Sequence, residues 1–552
     1  MIRRAESEAS ETHHVRVVRR LASTVNVEWV ERQVLKKRLF KRGAIPSEAR
    51  APENDGLSPR APAPAPPIRV KEIMNRLGIH DPGFPNQWHL LNSDQPGNDL
   101  NLTGVWEQGI TGRNTTVCFI DDGLDYESED LAGNFYAAGS WDYNARPQRA
   151  LPKPTMADDR HGTRCAGEVA AVRNNVCGVG IAWDAKVSGV RILGGELTEA
   201  DEAKAINYDF QNNHIYSCSW GPSDNGQAME APPKIVSDAV YNGIENGRGG
   251  LGSIFVFASG NGGGAQDNCN FDGYTNSIYT ITVGAIDRYN NHPAYSEQCS
   301  ATLIVMYSSG GGGGIYTTDW PAQCTDKHGG TSAAAPLASG LYSLVLSIRP
   351  DLGWRDFQHL SVQTAVPIHL EDPDWTSVAF DRQFNHKFGF GRLDGYRLIE
   401  AAKTFKRVGP QTRLKTDVVH IGQAIPQDKN GIQTSINLTS ADFRNVSLKR
   451  LEHVTVTVSI DHSRRGDVEA FLTSPNGVVS KLAARRSYDS HTTGFKNWTF
   501  MSVKHWEEHP VGTWTLTITD EANLDKTGTL QYWWMTFWGE SGDVSIPSSA
   551  PP

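Results

Sequence analysis

No run of about 20 apolar residues occurs anywhere in this 552-residue chain, so no segment is expected to span a membrane. The opening MIRRAESEAS is charged but is not followed by an apolar stretch, so no secretory leader is visible. No internal repeat is apparent. Cysteine is scarce: seven residues, at 118, 165, 177, 218, 269, 299 and 324, an odd number that leaves at least one unpaired. A hydrophobic content of 38% and a mean hydropathy of −0.44 fit a soluble globular protein, and the length calls for more than one domain. The net charge of −9 is uneven. Residues 1–42 hold 11 Lys/Arg against 5 Asp/Glu, a net of +6, which leaves −15 on the remainder. A basic head on an acidic body suits a segment that occupies an acidic cleft. Five N-x-S/T triplets, at Asn101, Asn114, Asn437, Asn445 and Asn497, are acceptors used only in secreted chains. With no leader in view, the chain is expected either to lack its true N-terminus or to have a wrongly assigned start.

The chain divides by composition. Residues 1–42 end in KKRLFKR, and 43–69 form a Pro/Ala-rich linker. From 70 to 405, continuous apolar runs such as TTVCFI, AKVSGVRIL, HIYSCSW, GSIFVFAS and YTITVGAI alternate with helical patterns. Such runs suit strands covered on both faces, so this part is expected to be α/β with a parallel sheet. From 406 to 540, HVTVTVSI, VEAFLTS, TWTLTITD and YWWMTFWGE alternate apolar and polar residues between turns, the pattern of an all-β sandwich. Residues 541–552 read as the start of a second linker.

Four motifs carry chemistry. VCFIDDG (117–123) is a buried strand ending on two carboxylates. HGTRC (161–165) and GGTSAAAP (329–336) each place a reactive residue at the start of a small-residue helix, and FASGNGG (257–263) sets an amide among glycines. A serine hydroxyl needs a base to take its proton, and the base needs a third group to fix its tautomer. Asp121, His161 and Ser332 supply those roles in the chain order of the subtilisin triad. Asn261, with the Ser332 backbone N–H, would form the oxyanion hole.

The motifs IDDGLDYESEDL, DDRHGTRCAGEVAA, IYSCSWGP, FASGNGG, DNCNFDGYTNSIYT and HGGTSAAAPLASG resemble the kexins and furin-like proprotein convertases of the subtilisin clan. EHVTVTVSIDHSRRGD and GFKNWTFMSV resemble their P domain. The resemblance covers roughly 70–540. It implies a subtilisin-like catalytic domain followed by a sandwich, or jelly-roll, P domain. It also implies a calcium-dependent serine endopeptidase that cuts proproteins after Lys-Arg or Arg-Arg. A P1 arginine requires buried carboxylates, and Asp224 and Asp272 match the family's S1 acids. Asp122 and Asp158 match S2, and Glu202, Glu230 and Tyr274 fall where S4 is shaped. Two calcium sites are implied. One uses Asp81, Asp130, Asn174 and carbonyls of Val172, Val176 and Gly178; the other uses Asp224, Asp267 and Glu297. A third site is not expected, because Asp142 stands alone where relatives carry several aspartates. The resemblance pairs Cys177 with Cys324 and Cys269 with Cys299, outside which stand Cys118, Cys165 and Cys218.

Residues 1–42 are then expected to be the end of an inhibitory propeptide, cleaved after Lys41-Arg42 by the enzyme itself. The expected partners are dibasic proproteins and this propeptide, with no nucleic acid. A lumenal, late-Golgi monomer with a membrane anchor beyond residue 552 follows from the family. RGD at 465–467 is expected in a sandwich turn. Two alternatives are a broad subtilisin without dibasic preference and a catalytically inert relative whose sandwich serves as a binding module. The acidic pocket set argues against the first and the intact triad against the second. The P domain is expected to be needed for the catalytic domain's stability.

Overall fold

Seven strands pair into one fully parallel sheet: β1 (Thr116–Asp121), β2 (Trp141–Asp142), β3 (Lys186–Arg191), β4 (Ile215–Cys218), β5 (Ile254–Ala258), β6 (Thr280–Ile286) and β7 (Ile304–Tyr307). Their spatial order is β7-β6-β5-β4-β1-β3-β2. The structure, a computed structural model, describes residues 35–40, 67–145, 150–444 and 446–542. Along β1, Val117 and Phe119 face one apolar core while Cys118 and Ile120 face another. Burial on both faces explains why these strands read as continuous apolar runs. Helices α1 (His161–Ala170) and α4 (Thr331–Ile348) cover the first face; α2 (Glu199–Ile206) and α3 (Lys234–Gly250) cover the second. A further helix begins at Ile68, two residues inside the expected linker, directly after Pro67.

α4 is apolar on every side. Ala333, Ala334, Ala335, Ala338 and Leu344 are fully buried, and small side chains let it run close to the sheet. A Cβ on Gly340 would lie 2.9 Å from Ile181 Cβ, so the glycine sets the approach of α4 to that loop.

The C-terminal strands form two antiparallel sheets. One contains β8 (Gln411–Lys415), β9 (Val419–Ala424), β11 (Leu448–His462), β14 (Phe495–Ser502) and β16 (Gly528–Ser541). The other runs β10 (Ile432–Leu438), β15 (Gly512–Asp520), β12 (Val468–Thr473), β13 (Val479–Ala483). Their facing side chains, including Val456, Leu472, Trp514, Leu516, Trp533 and Phe537, form a separate core. Arg465–Asp467 is a buried 3-10 turn leading into β12, not an exposed loop.

The two parts interpenetrate. Met501, Val503 and Trp506 join the core around α4, while Phe271 joins the sandwich core. Asn270 accepts from Met501 N at 2.9 Å and donates to Met501 O at 3.1 Å, and its carbonyl takes the Trp498 indole N–H at 3.0 Å. Glu452 of β11 is fully buried between Arg355 and His359 of the helix Trp354–Thr364, 2.8 Å from His359 Nε2.

Candidate active site

β1 ends at Asp121, and the chain returns at α1 so that His161 Nδ1 lies 2.9 Å from both Asp121 carboxylate oxygens. α1 can start there because Asp122 caps it: its carboxylate accepts from His161 N at 3.0 Å and Gly162 N at 2.7 Å. Gly162 has to lack a side chain, since a Cβ would stand 2.2 Å from Gly123 O. Burial, with Asp121 beside it, pushes the Asp122 carboxyl well above the usual range. Behind it the buried Arg191 donates to Asp122 O at 2.7 Å and to Asp159 at 2.8 Å.

Ser332 is the second residue of α4. Pro336, one turn on, has no N–H to offer the Ser332 carbonyl. That carbonyl is taken instead by Ser219 Oγ at 3.2 Å and Cys165 Sγ at 3.6 Å. Cys165 also lies 3.9 Å from His161 Nδ1, so one buried thiol touches the histidine and the start of the serine's helix. Burial pushes that thiol well up, away from thiolate chemistry. Beneath it the buried Glu168 lies 3.3 Å from His328, whose ring meets that of His161 edge-on.

Asn261 follows β5. Its Oδ1 accepts from Thr331 N at 2.9 Å and Thr331 Oγ1 at 3.1 Å. Its Nδ2 is buried and, among the described residues, has no acceptor. A fixed amide with an unspent donor, beside the start of α4, suits a developing oxyanion.

Around this centre lie the acids. Asn261 N donates to Asp224 at 2.8 Å; Asp272 caps Tyr274 N at 2.8 Å; Asp158 is exposed, three residues before His161. Glu202 stands in the first turn of α2, whose N-terminus is closed by a capping box between Thr198 and Asp201. Tyr274 hydrogen-bonds Glu202 and packs on Trp220 and Phe257.

This pocket is filled by the chain itself. Leu39–Phe40 pairs antiparallel with Trp220–Gly221, and Leu35–Lys36 pairs with Leu197–Thr198. Arg38, only 3% exposed, meets Glu202 Oε2 at 3.1 Å, Tyr274 Oη at 2.6 Å and Glu230 Oε1 at 2.8 Å. Lys36 adds contacts of 3.1 Å to Glu230 and 3.3 Å to Glu199. Burial opposes the charge on Arg38, but Tyr274, Glu202 and Glu230 outweigh it and hold the guanidinium ionised. Burial likewise raises Glu230, yet Arg38 and Lys36 bring it below its ordinary value. Lys41 and Arg42 lie outside the described residues.

Two carboxylate clusters remain. The loop 172–178 wraps Asp81 and Asp130: Asn174 N donates to Asp81 at 3.0 Å, Asn174 Nδ2 to Asp130 at 3.0 Å, and Val172 N to Asp130 O at 2.8 Å. Val176 N returns to Asn174 Oδ1 at 2.7 Å, and the Gly178 backbone packs against Gln87. Burial pushes Asp81 up and Asp130 to about 6, and Asp81 Oδ2 is buried with no hydrogen-bond partner among the described residues. Crowded, desolvated oxygens of this kind fit a hard dication. The second cluster surrounds Gly262, whose missing Cβ would meet Asp267, Glu297 and the Asp224 carbonyl within 3.1 Å. Asp142, by contrast, pairs with Arg191 at 3.4 Å.

Cys177–Cys324 and Cys269–Cys299 are disulfide-bonded, and Cys118, Cys165 and Cys218 are buried outside them. Sequence reasoning missed Arg38 as the occupant of the acidic pocket, although KKR precedes the dibasic pair. It also missed Arg191, Glu168, His328 and the sandwich arginines 465 and 486, for which no motif signals a partner.

The subtilase family profile matches residues 112–391, and the proprotein convertase P-domain profile matches 451–537. The chain is 50% identical over 488 residues to the dibasic-processing endoprotease of Schizosaccharomyces pombe, covering 87% of this chain and 68% of that one. It is 46% identical to the kexin of Saccharomyces cerevisiae, covering 90% and 61%, and 43% identical to rat furin, covering 86% and 59%. The chain thus spans about three fifths to two thirds of these relatives' lengths. The solved serine protease of Aeromonas sobria shares the fold, with a TM-score of 0.76 at 22% identity over 89% of this chain and 99% of that one. The chain therefore belongs to the subtilase family of serine endopeptidases, within its P-domain-bearing kexin branch.

Proposed function

We propose that the protein is a calcium-dependent endopeptidase that processes proproteins in the secretory pathway by cutting after Lys-Arg and Arg-Arg. The observation that carries this reading is Arg38. A buried guanidinium held by Glu202, Glu230 and Tyr274 means that the cleft takes basic side chains of an extended peptide. Beside that pocket, Asp224 and Asp272 would receive a P1 arginine, and Asp122 with Asp158 a P2 lysine. Residues 1–42 would be the end of the propeptide, released by cleavage after Lys41-Arg42. The linker 43–69, catalytic domain 70–405, P domain 406–540 and second linker 541–552 complete the arrangement.

In the reaction, Asp121 holds His161 through Nδ1, so Nε2 takes the proton of the Ser332 hydroxyl. The Ser332 oxygen bonds to the scissile carbonyl carbon. Asn261 Nδ2 and the Ser332 N–H stabilise the oxyanion, and His161 passes its proton to the leaving amine. Water then releases the acyl group by the same steps. Calcium bound by Asp81, Asp130, Val172, Asn174, Val176 and Gly178, and by Asp224, Asp267 and Glu297, would supply positive charge that fixes loops, with no part in bond making. Two disulfides and the sequons support a lumenal, oxidising location such as the late Golgi.

The test compares peptides ending in Lys-Arg, Ala-Arg and Lys-Leu, with and without a calcium chelator. Selective, chelator-sensitive turnover of Lys-Arg supports the proposal. Equal rates on all three indicate a broad subtilisin, and no turnover after removal of residues 1–42 indicates an inert relative.

A further inference from the structure

The loop 224–230 begins at Asp224 and ends at Glu230, so it carries one acid of the proposed S1 pocket and one of the proposed S4 pocket. Between them the chain makes a tight turn: Asn225 Oδ1 accepts from Gln227 N and Ala228 N, each at 2.9 Å, and Gly226 has φ +70°. Gly226 N is tied to Asp267 at 2.7 Å. A turn of this kind leaves its carbonyls pointing outward, and buried carbonyls need donors.

The donors come from the sandwich. Arg486, fully buried, gives Nε to Gly226 O at 3.1 Å and Nη2 to Ala228 O at 2.9 Å. Arg465, the first residue of the RGD run, gives Nη2 to Gln227 O at 2.6 Å. Three consecutive carbonyls are therefore held by two arginines more than 230 residues away. Asp489 aligns both: it is bidentate to Arg465 at 2.7 and 3.1 Å and lies 3.5 Å from Arg486. The Arg486 guanidinium also stacks 4.0 Å over Phe271, the neighbour of Asp272, and lies 3.6 Å from Asp267. The loop leads on to the reaction centre, because Asp224 takes the backbone N–H of Asn261.

We propose that Arg486 and Arg465 are positioning residues for substrate selection: the P domain clamps the 226–228 carbonyls and thereby sets where Asp224 and Glu230 present their charge. This deepens the dibasic reading and rests on it. A lysine cannot reproduce the clamp, since a point ammonium does not span two carbonyls two residues apart as a planar fork does.

The experiment uses the full-length chain and the variants Arg486→Lys and Arg465→Lys, each after release of residues 1–42, because residues 35–40 otherwise fill the acidic cleft. Inactivation is followed with a Lys-Arg chloromethyl ketone, which needs the basic pockets, and with phenylmethanesulfonyl fluoride, which needs only the triad. Amide exchange of residues 225–230 is measured in parallel. We expect the chloromethyl ketone rate to fall about tenfold or more for Arg486→Lys, the sulfonyl fluoride rate to stay within about threefold, and exchange at 225–230 to speed up. The proposal is overturned if both reagents slow together, if neither slows, or if exchange in the loop is unchanged. Arg465→Lys, which loses the bidentate pairing with Asp489 that aims this side chain at Gln227 O, gives the same reading should Arg486→Lys fold poorly. A wild-type chain with no preference for Lys-Arg over Ala-Leu chloromethyl ketone would overturn the dibasic reading, while loop exchange would still report on the clamp.

Discussion

Arg38 and Glu202, 164 residues apart in sequence, meet at 3.1 Å in a site closed to solvent, with the Tyr274 ring beneath the guanidinium at 5.2 Å. The segment before the dibasic pair thus occupies the cleft as an extended strand. Charged hydrogen bonds of this type contribute about 1.5–3 kcal/mol each. A synthetic 1–42 peptide carrying Arg38→Ala should inhibit the processed enzyme at least tenfold less well than the native peptide. An unchanged inhibition constant would remove Arg38 from the inhibitory contact.

At the proposed P1 pocket, Asp272→Asn keeps the acceptor for Tyr274 N but removes the charge. A desolvated arginine that loses its partner costs 2 kcal/mol or more. kcat/KM on a Lys-Arg peptide should fall about 30-fold or more, with little change in the phenylmethanesulfonyl fluoride rate. Equal loss on both would place Asp272 in the fold and not in selection.

Asn261→Ala removes the unspent Nδ2 donor. The expected loss is about 10²–10³ in kcat with KM nearly constant, the size known for one such donor in subtilisin. A change confined to KM would argue that the amide binds substrate in the ground state instead.

Glu452 links the two parts of the molecule to pH. Burial alone would raise its pKa, but His359 and Arg355 outweigh that and bring it from 4.5 to about 2. A lowered carboxylate pKa stabilises the folded state above the unfolded value, and that contribution is lost as pH falls from 4.5 through 2. The amount is on the order of 3 kcal/mol. Thermal unfolding at pH 7, 5, 4 and 3 should show little change from this residue down to about 5 and a steep fall below it. In Glu452→Gln the acid-dependent part should flatten and the neutral-pH stability should drop by about 3 kcal/mol. An acid profile identical to wild type would exclude Glu452 as the source.

The parallel sheet was legible because strands covered on both faces have no polar alternation to disguise them, as in TTVCFI and GSIFVFAS. The triad residues could be read because each sits where a strand stops or a helix starts, positions that composition marks with Asp-Asp-Gly, His-Gly or Gly-Thr-Ser. The pairing of Arg38 with Glu202 could not be read, since a lone arginine in a basic run carries no sign of its partner. The clamp by Arg465 and Arg486 was equally hidden. Its acceptors are backbone carbonyls, which every residue has, so only the packing of the sandwich against the 226–228 turn singles them out. Helix Ile68–Leu77 began inside the expected linker because Pro67, counted as linker composition, in fact precedes its first turn.

The helix that carries the nucleophile as its second residue is the one helix among the described residues long and apolar enough to pass for a membrane span, with a mean hydropathy of 1.3 over Thr331–Ile348. In the native molecule it is packed against the sheet and α1, inside a core that Met501, Val503 and Trp506 of the C-terminal part also join. Reactivity and stickiness therefore reside on the same 18 residues. An incompletely assembled chain would display a hydrophobic hazard where the finished one holds its serine, so quality control that retains exposed apolar helices would also retain any copy whose nucleophile is not yet in place.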